Sequence, residues 1–319
     1  MTFLLLILGF TLLIKGANYF VDGSSSIARI FKIPSIIIGL TIVAFGTSAP
    51  ELAVNISAVM KDSSSIAIGN IVGSNIVNIL LILGITSLIK PVDLTLSTLK
   101  KDFPFLIITT LTLSVLSLDV FRNDLPAQLS RLDGALLLGL FGVFFYYLIK
   151  STIRSKEALE KTDVKDSIEK KSLLKNILLA ALGLTAIIIG GNIVVEQSVI
   201  IARNFGISER IIGLTIVAVG TSLPELVTSV VAALKNESEI AIGNIIGSNI
   251  FNILFILGIS SFIKPLPVDA GSYFDIIFLM AATLLTYIVS MTKKKVSRSE
   301  GVLLSLFYVA YVGYIITQF

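Results

Sequence analysis

The sequence predicts an all-α integral membrane protein of ten transmembrane helices, arranged as two inverted five-helix repeats with discontinuous helices near mid-membrane. Three observations support this: an apolar composition, a duplication at one fixed offset, and a one-sided distribution of basic residues. Of 319 residues, 55% are hydrophobic and 14% charged, whereas a soluble domain has roughly a quarter charged residues. Runs such as 3–20, 103–118 and 136–149 have the apolar character of bilayer-crossing helices, which need about 20 residues. No basic segment precedes the first run and no small-residue cleavage site follows it, so it is expected to stay as a span.

The duplication is explicit. Residues 37–58 read IIGLTIVAFGTSAPELAVNISA and residues 211–232 read IIGLTIVAVGTSLPELVTSVVA, identical at 15 of 22 positions. Residues 66–85 (IAIGNIVGSNIVNILLILGI) and 240–259 (IAIGNIIGSNIFNILFILGI) agree at 17 of 20, at the same offset of 174. Such internal periodicity outranks any local signal. Each half holds five apolar segments, at about 3–21, 33–60, 66–89, 103–119 and 133–149, and about 174–195, 207–234, 240–263, 275–291 and 301–317. Five is odd, so the second half enters the membrane from the opposite side. The expected organisation is a first repeat over 1–150, a cytoplasmic linker over 151–172 and a second, inverted repeat over 173–319.

Basic residues orient this layout. Counting alternate loops from the one after the first span, 18 of 25 lysines and arginines fall on one side, including eight between Lys150 and Lys175. Six fall on the other, and Lys15 lies within the first span, from which it can snorkel. The richer side is cytoplasmic, which places both termini outside. The polar stretch 150–175 mixes eight basic with five acidic residues. It reads as a solvated, partly helical linker, and nothing in its spacing resembles a Ca2+-binding EF-hand loop.

The chain has no cysteine, histidine or tryptophan. Disulfides, thiolate or imidazole metal sites and histidine proton relays are therefore excluded. Any metal must be held by oxygen, which selects hard cations such as Ca2+, Mg2+ or Na+. The net charge of +4 does not point to nucleic acid, because the basic residues sit in loops where membrane orientation explains them.

Two acidic residues, Glu51 and Glu225, interrupt otherwise apolar spans within GTSAPE and GTSLPE. An ionised side chain at mid-bilayer costs roughly 2.5–3.5 kcal/mol on insertion scales, so such residues mark ion or proton pathways. Thr47, Ser48 and Glu51 are spaced to share one helix face, as are Thr221, Ser222 and Glu225. Pro50 and Pro224 lack an amide hydrogen and free a carbonyl one turn upstream. Irregular backbone at that depth is tolerated only where it lines a cavity, as in transporters built from inverted repeats. In the third span of each half, Ser74 and Asn78, and likewise Ser248 and Asn252, lie one turn apart and offer neutral oxygens. Gly69/Gly73 and Gly243/Gly247 form GxxxG, which suits close helix packing. Asn70, Asn75, Asn244 and Asn249 read as hydrogen-bonding links between helices.

These blocks, GTSAPE and GTSLPE each followed by GN-xx-GS-xxx-N, resemble the paired alpha-repeats of the Ca2+/cation antiporter superfamily, in its Na+/Ca2+ exchanger branch. The closest likeness is to small prokaryotic exchangers without a large regulatory loop. The resemblance implies a multi-pass plasma-membrane antiporter, not an enzyme, with no cofactor and with Ca2+ and Na+ as transported ions. It implies ligands from Thr47, Ser48, Glu51, Ser74, Thr221, Ser222, Glu225 and Ser248, with the carbonyls of Ala44 and Ala218. Proton-coupled relatives carry a GNA-T-E type motif where this chain has GTS-x-PE, which favours Na+ as counter-ion. Asn252 stands where many exchangers have aspartate, which speaks against potassium co-transport.

The alternative within the same class is a proton/Ca2+ antiporter whose glutamates titrate. A cation channel would need a continuous pore and usually a symmetric oligomer, whereas one chain here supplies both halves of a midplane site and is expected to act as a monomer. An intramembrane hydrolase lacks a nucleophile–base pair.

Overall fold

The computed structural model describes residues 2–61, 64–117, 127–160, 170–206, 218–268 and 270–317. It is mostly helical. α1 (Thr2–Phe31) leads to a broken second span, made of α2 (Ser35–Ile38), a π-helical turn over Gly39–Val43, α3 (Ala44–Thr47) and α4 (Ala49–Met60). The third span runs through α5 (Ser64–Ile76), a π segment at Val77–Ile82 and α6 (Leu83–Ile89). Another π turn, Thr98–Asp102, opens α7 (Phe103–Ser117), and α8 spans Arg131–Glu160.

The second half repeats this order with α9 (Lys170–Asn204), α10 (Ala218–Thr221), α11 (Leu223–Leu234) and α12 (Ser238–Ile250). A π segment at Phe251–Leu257, α13 (Gly258–Ile263), α14 (Ala270–Lys293) and α15 (Arg298–Thr317) follow. The apolar run expected to begin at 207 has its first part, 207–217, outside the described residues. Among the described residues, seven helices are long and apolar enough to cross a membrane, or eight counting the pair Ser35–Thr47 and Ala49–Met60, bent by 47°.

α8 and α9 reach further than their apolar stretches suggest. They extend into the polar 150–175 region from both ends, leaving only 161–169 of it outside the described residues. Lysine, glutamate and alanine are good helix formers, and this region lacks glycine and proline to stop a helix.

The third spans form the centre of the molecule. In the most apolar windows of Ser238–Ile263 and Ala67–Ile89, 94% and 78% of residues are buried, against 11% for α15. α1 and α9 run antiparallel along each other at the periphery. Gly9, Gly16 and Gly23 face Gly190, Gly183 and Ala180. A Cβ at Gly183 would lie 2.5 Å from the Phe20 nitrogen, so only glycine permits this backbone approach.

The two halves exchange elements. β1 (Val92–Asp93), after α6, pairs antiparallel with β4 (Lys295–Val296), before α15. β2 (Gln128–Leu129), before α8, pairs antiparallel with β3 (Leu266–Pro267), after α13. α15 accordingly packs on α6, where a Cβ at Gly301 would meet the Gly84 carbonyl at 2.7 Å, and α8 packs on α13 through Gly134 and Gly258. Each half thus covers the other's third span.

Candidate cation-binding site

The second span breaks at Ser48 (φ −83°, ψ 8°), and the corresponding break in the other half is at Ser222 (φ −90°, ψ 7°). Pro50 and Pro224 sit in the first turn of the helices that follow, where a missing amide hydrogen costs no helical bond. Glu51 and Glu225 therefore fall in the first turns of α4 and α11. Unpaired amides and the positive end of the helix dipole favour a carboxylate there. Both glutamates are completely buried.

The carboxylates are held from both halves. Ser74 and Ser222 each donate to Glu51 Oε1, at 3.2 and 3.4 Å, and their hydroxyls lie 2.9 Å apart. Ser48 donates to Glu225 Oε1 at 3.0 Å. Thr47 donates to Asn244 Oδ1 at 3.0 Å and lies 3.3 Å from the Ala44 carbonyl, which also accepts from the Ser48 amide. In the second half the Ser222 amide bonds to the Val219 carbonyl instead of that of Ala218. Thr221, ending α10, is partly exposed where Thr47 is buried.

Several buried oxygens have no hydrogen-bond partner among the described residues: Glu51 Oε2, Glu225 Oε2, Ser248 Oγ, Asn78 Oδ1 and Asn252 Oδ1. Buried polar atoms normally find partners, and an unpaired carboxylate oxygen is the costliest to strand. Two carboxylates and a set of neutral oxygens match what a hard cation needs. Among the described residues no three acidic side chains are grouped so as to hold a metal ion, so neutral oxygens must complete the coordination at Glu51 and Glu225.

The residues expected to act together are thus adjacent in the cases of Thr47, Ser48, Glu51, Ser74, Ser222, Glu225 and Ser248, whose hydroxyl lies beside Glu225, while Asn78 and Asn252 are buried in the flanking third spans. Of the asparagines read as interhelical links, Asn75 and Asn244 form them, whereas Asn249 donates within its own helix to the Ile245 carbonyl and Asn70 Nδ2 has no partner among the described residues. Asn75 Nδ2 donates to the Asn249 carbonyl at 3.2 Å, and Asn244 Nδ2 donates to Ser229 Oγ at 3.0 Å. Of the two GxxxG pairs, Gly243 and Gly247 let α12 approach the 36–44 backbone, whereas no atom of the described residues lies within 4 Å of a Cβ at Gly69 or Gly73. Asn55 was not singled out by sequence: it joins α4 to the Ala67 carbonyl and accepts from Ser260. Its polarity on an apolar span was the available signal.

The repeats differ where they meet one wall of this region. The tilted rings of Phe45 and Phe251 have centroids 4.3 Å apart, and those of Phe141 of α8 and Phe255 lie 5.2 Å apart. The equivalent positions at an offset of 174 are Val219, Val77 and Leu81.

Comparison with known proteins agrees with this arrangement. The profile of the sodium/calcium exchanger protein family matches residues 1–150 and 175–317. The putative antiporter CaxA of Alkalimonas amylolytica is 42% identical over 97% of this chain and 95% of its own. The sodium/calcium exchanger MaX1 of Methanosarcina acetivorans is 35% identical over 97% of both. A solved structure of the sodium-calcium exchanger NCX_Mj superposes with a TM-score of 0.84 at 30% identity, covering 98% of each chain. With matched profile, full-length relatives and a shared fold, this chain belongs to the sodium/calcium exchanger family, a family of membrane antiporters.

Proposed function

We propose that this chain exchanges Ca2+ for Na+ across the membrane by alternating access. The observation that carries the reading is the pair of buried glutamates, each with one oxygen held by serine and the other without a hydrogen-bond partner among the described residues. Their combined charge neutralises one Ca2+ or two Na+, so either load is held without a large uncompensated charge. Competition for shared oxygens then couples the two fluxes. The ligand set comprises Glu51, Glu225, Thr47, Ser48, Thr221, Ser222, Ser74, Ser248, Asn78 and Asn252, with the carbonyls of Ala44 and Ala218.

The same reading gives ten spans in two inverted units, 1–150 and 173–319, joined by a cytoplasmic linker over 151–172. Both termini lie outside the cell membrane, and a single chain suffices for transport. Inverted halves supply two equivalent end states around one site.

Na+ rather than H+ as the counter-ion rests on the GTS-x-PE motif and on the names sodium/calcium exchanger and sodium-calcium exchanger borne by MaX1 and NCX_Mj. The CaxA relative is named only an antiporter. Uptake of radioactive calcium into proteoliposomes, driven in turn by a Na+ gradient and a pH gradient, separates the two. Uptake requires the opposing Na+ gradient and survives collapse of the pH gradient. Equal uptake driven by protons alone overturns the assignment.

A further inference from the structure

We propose that Asn75 is a positioning residue that turns the carbonyl oxygen of the Asn252 side chain, rather than its amino group, toward the ions. The inference rests on the reading of the site given above. It follows from a chain of three hydrogen-bonding groups linking the two third spans. The Asn249 main-chain carbonyl can only accept, so the group facing it must be the Asn75 amino group, and the two lie 3.2 Å apart. Asn75 is then left with its oxygen facing Asn252. That oxygen can only accept, so Asn252 must present its amino group, at 3.0 Å. One orientation remains for Asn252: its Oδ1 points away from the relay, fully buried and with no partner among the described residues.

An unassisted asparagine offers a cation either an oxygen or an N–H2, and only the oxygen attracts it. The relay removes that ambiguity. The other half does not repeat it. Asn249, at an offset of 174 from Asn75, donates instead to the Ile245 carbonyl at 2.7 Å. Asn249 Oδ1 and both side-chain polar atoms of Asn78 have no partner among the described residues. Among the described residues, the orienting relay thus serves Asn252 alone in this conformation.

The relay also decides what an aspartate at 252 would meet. A carboxylate there opposes the fixed Asn75 oxygen, acceptor against acceptor. Removing Asn75 relieves that opposition, so the two positions couple with a change of sign. Helix packing alone would give the same loss in either background.

The test is a double-mutant cycle on Na+-driven Ca2+ uptake, recording half-saturating Ca2+ and maximal rate. Asn75→Ala alone raises half-saturating Ca2+ about tenfold, the scale of one lost buried hydrogen bond, with the maximal rate largely kept. In the Asn252→Asp background, Asn75→Ala leaves half-saturating Ca2+ unchanged or lowers it. An equal loss in both backgrounds, or no loss in the first, overturns the proposal. Asn75→Ser, too short to reach Asn252, replaces alanine if that variant does not fold. The thermal midpoint of ion-free Asn252→Asp supplies an independent reading. It falls below wild type if the relay is fixed, and a midpoint equal to wild type overturns the proposal. Failure of the exchanger reading itself would show differently, as wild-type protein that takes up no Ca2+.

Discussion

Ser48, at the helix break of the first half, donates its hydroxyl to Glu225 of the second half at 3.0 Å. The carboxylate nearest the second break is therefore positioned by the first, and Ser222 returns the contact to Glu51. Removing the hydroxyl, as in Ser48→Ala, leaves a buried carboxylate one donor short. Hydrogen bonds to charged groups are worth about 1.5–3 kcal/mol, so apparent Ca2+ affinity drops roughly ten- to hundredfold. Ser48→Thr keeps the hydroxyl and loses less. Half-saturating Ca2+ in transport assays checks both, and equal behaviour of Ala and Thr would show that the hydroxyl is idle.

Glu51→Gln or Glu225→Gln removes half of the negative charge available to a divalent ion. At an effective dielectric of about 20, a unit-charge pair at contact is worth on the order of 4 kcal/mol. Either substitution abolishes measurable Ca2+ exchange. The protein stays monodisperse, because glutamine still accepts from Ser74 or Ser48. Na+ binding suffers as well, as its ligands overlap. Asn252→Ala is milder, about tenfold, since only a neutral oxygen is lost. Near-normal exchange by folded Glu51→Gln would sink the assigned site.

Orientation is tested at Ser155, on α8 in the basic linker region. A single cysteine there, in a chain without natural thiols, is shielded from an impermeant maleimide added to intact cells and labels after permeabilisation. Ready labelling of intact cells reverses the topology.

The seam between α1 and α9 tolerates no side chain. Gly183→Val forces its Cβ against the Phe20 backbone, an overpacking that costs about 1–3 kcal/mol or more where backbone must move. Its thermal midpoint in detergent falls clearly. Gly139→Ala, with no atom within 4 Å of the added Cβ among the described residues, melts at the wild-type temperature. Equal midpoints for the two would remove the seam from the stabilising contacts.

Much of this was legible because duplication prints the essential residues twice. Glu51 and Glu225, their serines and the prolines that break the spans stood out against apolar surroundings, and the helix breaks fall at Ser48 and Ser222 beside them. The relay through Asn75 was not legible, since its partners Asn249 and Asn252 lie far away in sequence and an amide's orientation is set only by its neighbours. The reach of α8 and α9 was legible only in outline, as a partly helical linker. A search for apolar runs ends where lysines and glutamates begin, although these residues continue a helix well. The seam of Gly9, Gly16 and Gly23 had a readable period of seven, but a period names a face and not its partner.

The exchange of strands and helices between halves also bears on biosynthesis. α6 is laid down early, yet the helix that covers it, α15, is the most C-terminal one described. The ribosome must therefore deliver some 200 further residues before the Gly84 face meets Gly301. Until then the first half keeps an unmatched glycine face, the kind of incompletely packed, aggregation-prone intermediate that chaperones handle. A chain that ends within α14 leaves α6 without the helix that covers it.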